Sequence, residues 1–335
     1  MRKVLHFFLT AMFTGAAIVS LAGCGSKGKS SDLTPVTLNE VAHSIFYAPQ
    51  YAAIELGYFK DEGIDLTLVN GAGADKVMTA LISGDADIGF MGSESSIYTY
   101  ANGADDYAVN FAQLTQRAGN FLVGRSSQPD FKWADLKGKK VLGGRAGGMP
   151  QMVFEYILKK NGIDPATDLS IDQSIQFGLT AAAFTSNDAD YTVEFEPFAT
   201  GLEKEGSGYV VASLGVDSGY VPYTAYSAKK SYIKKHPETV QKFTNAIQKG
   251  MEFVNTHSSD EIAKVIQPQF KETDVKTIAA IVDRYKAQDS WKKDTVFEKD
   301  SFELLENILE EAGQLKARVP YEELVTTEFS EKAAK

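Results

Sequence analysis

Hydrophobic and polar positions follow the periods of strands and helices in turn, three times, between residues 36 and 103. Strands are predicted at 36–40, 64–69 and 88–91, and each is followed by a loop and a helix, at 49–56, 76–82 and 93–103. Alternating strands and helices with short connections favour a parallel sheet flanked by helices. Ligands bind such sheets outside the carboxyl ends of the strands, so these loops predict half of a binding cleft.

The same pattern returns after breaks at residues 115–119 and 219–223, which we interpret as crossings between two lobes. Further strands are predicted at 107–114, 140–143, 169–175, 191–195 and 209–214, and further helices at 150–161, 176–184, 198–205, 237–255, 261–266, 275–285 and 302–315. We therefore predict an α/β protein in which each lobe is a mostly parallel sheet flanked by helices, with a cleft at the hinge. Lobe I comprises residues 36–115 and 225–335, and lobe II comprises 116–224.

A short repeat supports two similar lobes. The motifs Ser-Gly-Asp-Ala-Asp at 83–87 and Ser-Asn-Asp-Ala-Asp at 186–190 each precede a predicted strand. Their carboxylates could hold a metal ion, but they lie at the amino ends of strands, where Asp commonly forms turns. We interpret both motifs as turns, and we predict neither a metal site nor a cofactor.

The first 23 residues have the pattern of a signal peptide. Two basic residues precede a mostly apolar run, and Leu-Ala-Gly-Cys closes the segment at 21–24. This end resembles a bacterial lipobox, which implies that Cys24 is lipidated and that residues 24–35 form a flexible tether. The alternative is an uncleaved membrane helix, since the apolar run is almost long enough to span. Acylation of Cys24, the one cysteine, leaves no thiolate for a disulfide or a metal site.

Composition and charge narrow the class of partner. The 335 residues suit two domains, and 44% hydrophobic with 23% charged residues is ordinary for a globular protein with a sizeable core. The formal net charge of −10 argues against nucleic-acid binding, which needs a basic surface. It leaves an anionic small ligand open, because helix N-termini supply a local positive field.

Candidate ligand-binding groups gather in the loops at the carboxyl edges of the predicted sheets. The glycine-rich loops at 71–75, 92–96 and 144–148 would place free N–H groups beside a ligand, although each alone is equally explained as a tight turn. Aromatic residues at the same edges suit a flat or alkyl ligand, and those within strands and helices are also explained as core. They are Phe46, Tyr47, Phe90, Phe177, Phe195, Phe198 and Tyr223.

The charged residues of these loops indicate two ligand classes. Glu94, Glu194 and Glu196 favour a ligand with N–H or cationic groups, and any one of them is also explained as a solvated surface residue. Arg117 at the first crossing favours a carboxylate or sulfonate. The sequence leaves both classes open.

Two common catalytic motifs are absent from the sequence. It contains no Gly-x-Ser-x-Gly elbow and no His-x-x-x-His pair. Of the four histidines, only His43 lies at the carboxyl end of a predicted strand. An enzyme that uses His43 as a base remains an alternative.

Five motifs follow one another along the chain: residues 47–65, 83–89, 135–139, 195–197 and 235–238. In this order they resemble the family of solute-binding proteins for nitrate, taurine, aliphatic sulfonates and thiamine pyrimidine precursors. The resemblance implies a two-lobed type 2 periplasmic-binding fold with ligand loops at 43–47, 71–75, 92–95, 115–117, 144–149 and 194–196. The ligand-binding candidates are His43, Phe46, Tyr47, Gly73, Ala74, Gly92, Ser93, Glu94, Gln116, Arg117, Arg145, Gly147, Gly148, Glu194, Glu196 and Tyr223.

The resemblance implies a solute receptor without catalysis. We expect a monomer, anchored by lipid at the extracytoplasmic face of a bacterial cell membrane, that captures a sulfonate-like or pyrimidine-like solute for an ABC permease and its ATPase. Eukaryotic relatives that make the pyrimidine carry a cysteine-rich loop, which this chain lacks. A pyrimidine-synthesising enzyme on the same fold and a sensory receptor lipoprotein are the alternatives.

Overall fold

The computed structural model describes residues 33–176 and 178–335, and residues 33–335 form one compact unit. The predicted signal peptide, Cys24, most of the tether and Phe177 lie outside the described residues. Ten strands and fifteen α-helices are assigned in the described part. None of these helices combines the length and the apolar character that a membrane span requires.

Two five-stranded sheets organise the described chain. The strands are β1 Thr34–Glu40, β2 Ile64–Asn70, β3 Ile88–Gly92, β4 Ala108–Thr115, β5 Phe121–Gly124, β6 Lys140–Leu142, β7 Ser170–Asp172, β8 Tyr191–Glu194, β9 Tyr209–Ser213 and β10 Thr224–Lys229. The first sheet has the order β2-β1-β3-β10-β4, and the second has the order β7-β6-β8-β5-β9. In each sheet the fourth strand runs antiparallel to its two neighbours and the other strands run parallel.

Helices flank both sheets. Ten of them correspond to predicted helices, five short ones were not predicted, and the helix predicted at 302–315 spans Lys299–Glu311. The helices are α1 Ala48–Glu55, α2 Tyr58–Asp61, α3 Ala74–Ser83, α4 Glu94–Ala101, α5 Met149–Lys160, α6 Thr180–Ser186, α7 Phe198–Lys204, α8 Leu214–Ser218, α9 Lys230–Lys235, α10 Pro237–Thr256, α11 Ser259–Ile266, α12 Val275–Ala287, α13 Lys299–Glu311, α14 Tyr321–Leu324 and α15 Glu328–Ala333. The predicted α/β fold, with two mostly parallel sheets flanked by helices, is confirmed. The helix predicted at 176–184 begins only at Thr180.

The strand β10 is the main element that the sequence does not predict. It pairs antiparallel with β3 on one side and β4 on the other, and five of its six residues are buried. The Tyr226 ring stacks on Phe90 with centroids 4.3 Å apart and contacts Phe243 of α10 at 5.2 Å. The first sheet therefore takes its strands from residues 34–115 and 224–229, and the second from 121–213. The boundaries of lobes I and II stay a prediction.

The repeated Asp motifs make equivalent hydrogen bonds to a neighbouring strand in both sheets. Asp87 accepts a hydrogen bond from the Thr37 N–H on β1, and Asp190 accepts one from the Lys140 N–H on β6, both at 2.9 Å. The backbone N–H of each Asp also donates to the carbonyl of the same strand residue. The repeat thus joins the amino end of one strand to its neighbour, which supports the interpretation as turns.

Residues 284–291, the end of α12 and the segment after it, contact both crossings. At the first crossing, Tyr285 donates to the Gly119 carbonyl at 3.2 Å and Gln288 donates to the Ala118 carbonyl at 3.1 Å. At the second crossing, the Tyr220 hydroxyl donates to Asp289 Oδ2 at 2.8 Å. These bonds connect the end of α12 and the segment after it to the two places where the chain passes between the sheets.

Candidate functional site

One cavity lies at the carboxyl ends of strands from both sheets. Nine of the predicted residues line it, and they come from the loops after β1, β2, β3, β6 and β8 and from the segment before β10: Tyr47, Gly73, Ala74, Gly92, Glu94, Arg145, Gly148, Glu194 and Tyr223. The space open to the centres of water-sized molecules is about 90 Å³. Because one water needs roughly 10–15 Å³ on that measure, the cavity has room for about six to nine waters, the size of a small organic molecule.

Glu94 is a buried carboxyl group on the side of the first sheet. It begins α4, only 3% of its surface is exposed, and Oε2 has no hydrogen-bond partner within the described residues. Burial, slightly offset by a hydrogen bond from its own backbone N–H, raises the pKa of Glu94 to about 8. A Cβ at Gly92 would lie 2.1 Å from Oε2, so the turn before α4 needs glycine to leave room for this carboxyl group.

Glu194 is the second buried carboxyl group, on the side of the second sheet. It ends β8 with 1% of its surface exposed, and it accepts hydrogen bonds from Thr180 at 2.9 Å and Thr192 at 2.6 Å. Burial raises the pKa of Glu194 to about 7, although the two hydroxyl groups lower it in part. One cavity thus receives an acid from each sheet, and both acids are near their protonation midpoints at neutral pH.

Aromatic rings and an amide complete the wall between the two acids. The Tyr223 hydroxyl donates to Asn120 Oδ1 at 2.7 Å, which leaves the buried Asn120 Nδ2 without a partner in the described chain. Tyr47, Phe195 and Phe198 add apolar surface to the cavity. Burial raises the pKa of both tyrosines well above its ordinary value, so both hydroxyl groups stay protonated.

Arg145 is the only Arg, Lys or His among the described residues that line the cavity. Its Nη2 lies 3.0 Å from Asp75 Oδ1, so the pair joins the loop after β6 to the first turn of α3. Burial opposes ionisation of Asp75, but the hydrogen bond and the charge of Arg145 lower its pKa overall. The cation at the cavity therefore already has an anionic partner within the chain.

His43 lies outside the cavity lining. Its Nδ1 lies 2.8 Å from Glu40 Oε1, and its Nε2 lies 2.9 Å from the Gln269 carbonyl oxygen. A neutral imidazole donates from one nitrogen only, whereas the protonated ring donates to both acceptors. The hydrogen bond to Glu40 is the largest cause that raises the pKa of His43, and the backbone bond adds to it, against an opposing effect of burial.

Six other predicted residues are also absent from the lining, and their contacts give them supporting positions. Phe46 is fully buried, Gln116 donates to the Asp289 carbonyl, and Arg117 donates to the Gly215 carbonyl with its guanidinium over the Tyr220 ring at 4.2 Å. The Ser93 hydroxyl donates to the Pro222 carbonyl, and the Gly147 N–H donates to the Gln151 side chain. The Glu196 carboxylate accepts a hydrogen bond from Arg284. Ser93 occupies the N-cap position of α4, but its hydroxyl donates to the Pro222 carbonyl at 2.6 Å and makes no capping hydrogen bond to the helix.

Three polar residues of the lining, Asn120, Thr180 and Thr224, are missing from the sequence-based set. Asn120 directly follows the first crossing, and Thr180 begins α6 just after Gly178. A polar residue next to a crossing was the available signal for Asn120. Thr180 had none, because the predicted start of its helix lay upstream of it.

The arrangement is rich in hydrogen-bond acceptors. A buried carboxylate without a counter-charge is costly, so a ligand that donates N–H groups or carries positive charge would relieve that cost. Aromatic rings in the lining and a small cavity volume suit a flat organic molecule. The geometry therefore favours binding of a small donor-rich solute.

Comparisons with known proteins agree with this architecture. Residues 45–260 match the family model described as NMT1/THI5 like. The chain is 46% identical over 313 residues to the Bacillus subtilis protein named "Putative binding protein YtlA", covering 93% of each sequence. It is 26% identical over 229 residues, or 62% of this chain and 63% of the other, to the Saccharomyces cerevisiae 4-amino-5-hydroxymethyl-2-methylpyrimidine phosphate synthase THI11.

Among solved structures, the periplasmic nitrate-binding protein NrtA of Synechocystis PCC 6803 superposes with a TM-score of 0.74. The superposition covers 90% of this chain and 89% of NrtA at 16% sequence identity. At that identity the likeness concerns the fold, which is the two-lobed α/β fold expected from the sequence.

Proposed function

Because the chain belongs to the NMT1/THI5-like family, we propose that it is a solute-binding protein that captures a flat, donor-rich organic solute for an ABC permease. The name of its Bacillus subtilis relative and the fold of NrtA support a binding role. In this proposal the lobes close on the solute about the two crossings, and the closed form docks on the permease.

The observation that carries the ligand class is the pair of buried acids, Glu94 from the first sheet's side and Glu194 from the second sheet, that line one cavity. The amino group of an aminopyrimidine-like ring presents N–H groups that can donate to the carboxylate forms of these acids. Nitrate or a sulfonate would meet two acids and a cation that Asp75 already neutralises. Of the two classes that the sequence leaves open, we therefore propose the pyrimidine-like one.

Calorimetric titration of the purified protein with 4-aminopyrimidine tests this class. We expect binding near neutral pH to be coupled to proton exchange, because a donor ligand favours the ionised forms of Glu94 and Glu194. The measured heat then depends on the ionisation enthalpy of the buffer. Tighter binding of methanesulfonate or nitrate than of 4-aminopyrimidine would contradict the proposed class.

Membrane anchoring through a lipidated Cys24, at the extracytoplasmic face of a bacterial cell, belongs to the same proposal. It is supported by the lipobox-like end of the sequence, and two or more acyl chains would hold the protein firmly at the membrane. An anchored receptor stays close to its permease and the ATPase while its lobes remain free to open and close.

The likeness to a pyrimidine phosphate synthase makes an enzyme the second candidate. In this protein the ring nitrogens of His43, the proposed base, face Glu40 and the Gln269 carbonyl, outside the cavity lining. We expect every bound probe to be recovered unchanged by mass spectrometry. A new product that the His43→Ala variant fails to form would favour the enzyme.

A further inference from the structure

We propose that Asp75 is a specificity-determining residue: by pairing with Arg145 it masks the one cation among the described cavity residues and so excludes anionic solutes. The inference deepens the proposed function and rests on it, because it assumes that this cavity binds the solute. Asp75 itself is not part of the cavity lining, so it acts through Arg145.

The loop that carries Asp75 is held in an unusual conformation. Ala72 has a φ of 52°, and Gly73 has a φ of 142°. The Asn70 side chain accepts a hydrogen bond from the Ala72 N–H at 2.9 Å, and the Gly73 N–H donates to the Val41 carbonyl at 3.0 Å. A non-glycine residue with a positive φ persists only where its surroundings hold it, and such residues cluster at functional sites. These contacts fix the turn from which Asp75 reaches Arg145.

The loop around Arg145 has the parts of an anion site, but its backbone N–H groups at 146–148 and one guanidinium nitrogen of Arg145 already donate to acceptors within the chain. The Gly147 N–H donates to Gln151 Oε1 at 3.0 Å, and the Gly148 N–H donates to the Arg145 carbonyl at 3.2 Å. Arg145 donates to Asp75. An anion entering the cavity would meet a guanidinium whose charge Asp75 offsets, while facing Glu94 and Glu194.

The ion pair is well placed for selectivity and contributes little to stability. The side chains of Arg145 and Asp75 are 37% and 58% exposed, and ion pairs this exposed contribute little to folding. The Asp75→Asn variant is therefore expected to fold normally while leaving Arg145 without a charged partner.

Binding of methanesulfonate and of 4-aminopyrimidine to the purified full-length protein tests the inference. Asp75→Asn is expected to bind methanesulfonate at least about tenfold more tightly than the unmodified protein, since it gains a charge-assisted bond to a free guanidinium. The double variant Asp75→Asn/Arg145→Gln should lose that gain. Asp65→Asn is the matched control, because it makes the same change in net charge at an exposed site on β2.

The outcomes separate the inference from the proposed function. A gain of methanesulfonate binding in Asp75→Asn that depends on Arg145 and is absent from Asp65→Asn supports the masking role, even if 4-aminopyrimidine does not bind. A folded Asp75→Asn variant with unchanged methanesulfonate affinity overturns it. Tight, Arg145-dependent binding of methanesulfonate by the unmodified protein overturns both the masking role and the proposed ligand class.

Discussion

Two glutamates at one cavity make the acid–base state of the protein part of its binding function. Glu94 and Glu194 have pKa values of about 8 and about 7, so both exchange protons near neutral pH. In the empty protein the neutral forms avoid two buried charges. A donor-rich solute would favour ionisation of both acids and bind more tightly as the pH rises through this range.

The pH dependence of stability tests the state of Glu94. Its pKa is raised from 4.5 to about 8, so its contribution to stability is fully present below pH 4.5 and is lost as the pH rises through about 8. We predict that the free energy of unfolding of the empty protein falls from about pH 6 to about pH 9, and that Glu94→Gln, which cannot ionise, removes much of the fall. Urea unfolding across this range measures it, with the exposed Glu272→Gln as control. An equal fall in Glu94→Gln and the unmodified protein would refute the assignment.

Phe46 tests whether a predicted ligand contact is a core residue. Its ring is fully buried and contacts Tyr47, Phe195 and Tyr223, three rings that line the cavity, with centroids 5.4 to 6.0 Å apart. We predict that Phe46→Ala lowers the free energy of unfolding by about 3–5 kcal/mol. Phe198→Ala, a lining residue with 38% exposure, should cost much less stability.

Urea unfolding and solute titration of both Phe variants provide the check. If Phe46→Ala weakened binding at unchanged stability, Phe46 would be a ligand contact after all.

The neighbours Phe46 and Tyr47 show what the sequence alone does not predict about the cavity. Phe46 and Tyr47 share one short 3-10 turn, yet only Tyr47 lines the cavity. Their position at a strand end was predictable from the alternation of strands and helices. Which ring faces the cavity depends on Gly119, because a Cβ at that position would lie 2.7 Å from the Phe46 ring. Gly119 is 73 positions from Phe46 in the chain.

At the scale of elements, the repeated Asp motifs give the clearest test. We predict that Asp87→Ala and Asp190→Ala each lower the free energy of unfolding by about 1–3 kcal/mol, because each leaves a strand N–H without its carboxylate acceptor. Asp85→Ala, which removes only a bond from an exposed Ser83, should cost less. Urea unfolding measures all three variants. Stabilisation of the unmodified protein by added Ca²⁺ that both Asp87→Ala and Asp190→Ala abolish would instead favour a metal site.

Most elements were predictable because their patterns are local. Strand runs, helix periodicity and closing residues such as Gly84 mark their own boundaries. The strand β10 was not, since its sequence Thr-Ala-Tyr-Ser-Ala-Lys carries small residues without a strand-like pattern. It forms a strand because it pairs with β3 on one side and β4 on the other. This pairing exists only in the assembled sheet.

At the scale of the whole molecule, the predicted lipid anchor can be tested separately from ligand binding in the cavity. We predict that the protein incorporates labelled palmitate and sediments with membranes, and that Cys24→Ala abolishes both, because the thiol is the acceptor of the lipid. Expression in a bacterium, followed by membrane fractionation, checks it. Membrane association that persists without label in Cys24→Ala would instead indicate an uncleaved N-terminal helix.

The two sheets share one spatial arrangement of strands, the cavity receives an acid from each, and we propose that this protein binds a donor-rich solute without converting it. A thermal-shift screen of the purified protein against aminopyrimidines, other small heterocycles, taurine, sulfonates and nitrate tests this proposal. Binding to the folded state alone stabilises by about 2.7 kcal/mol at 100 times Kd, which raises the unfolding midpoint by several degrees. We predict shifts from aminopyrimidine-like rings and none from nitrate or simple sulfonates. Shifts from the anions alone would contradict this proposal.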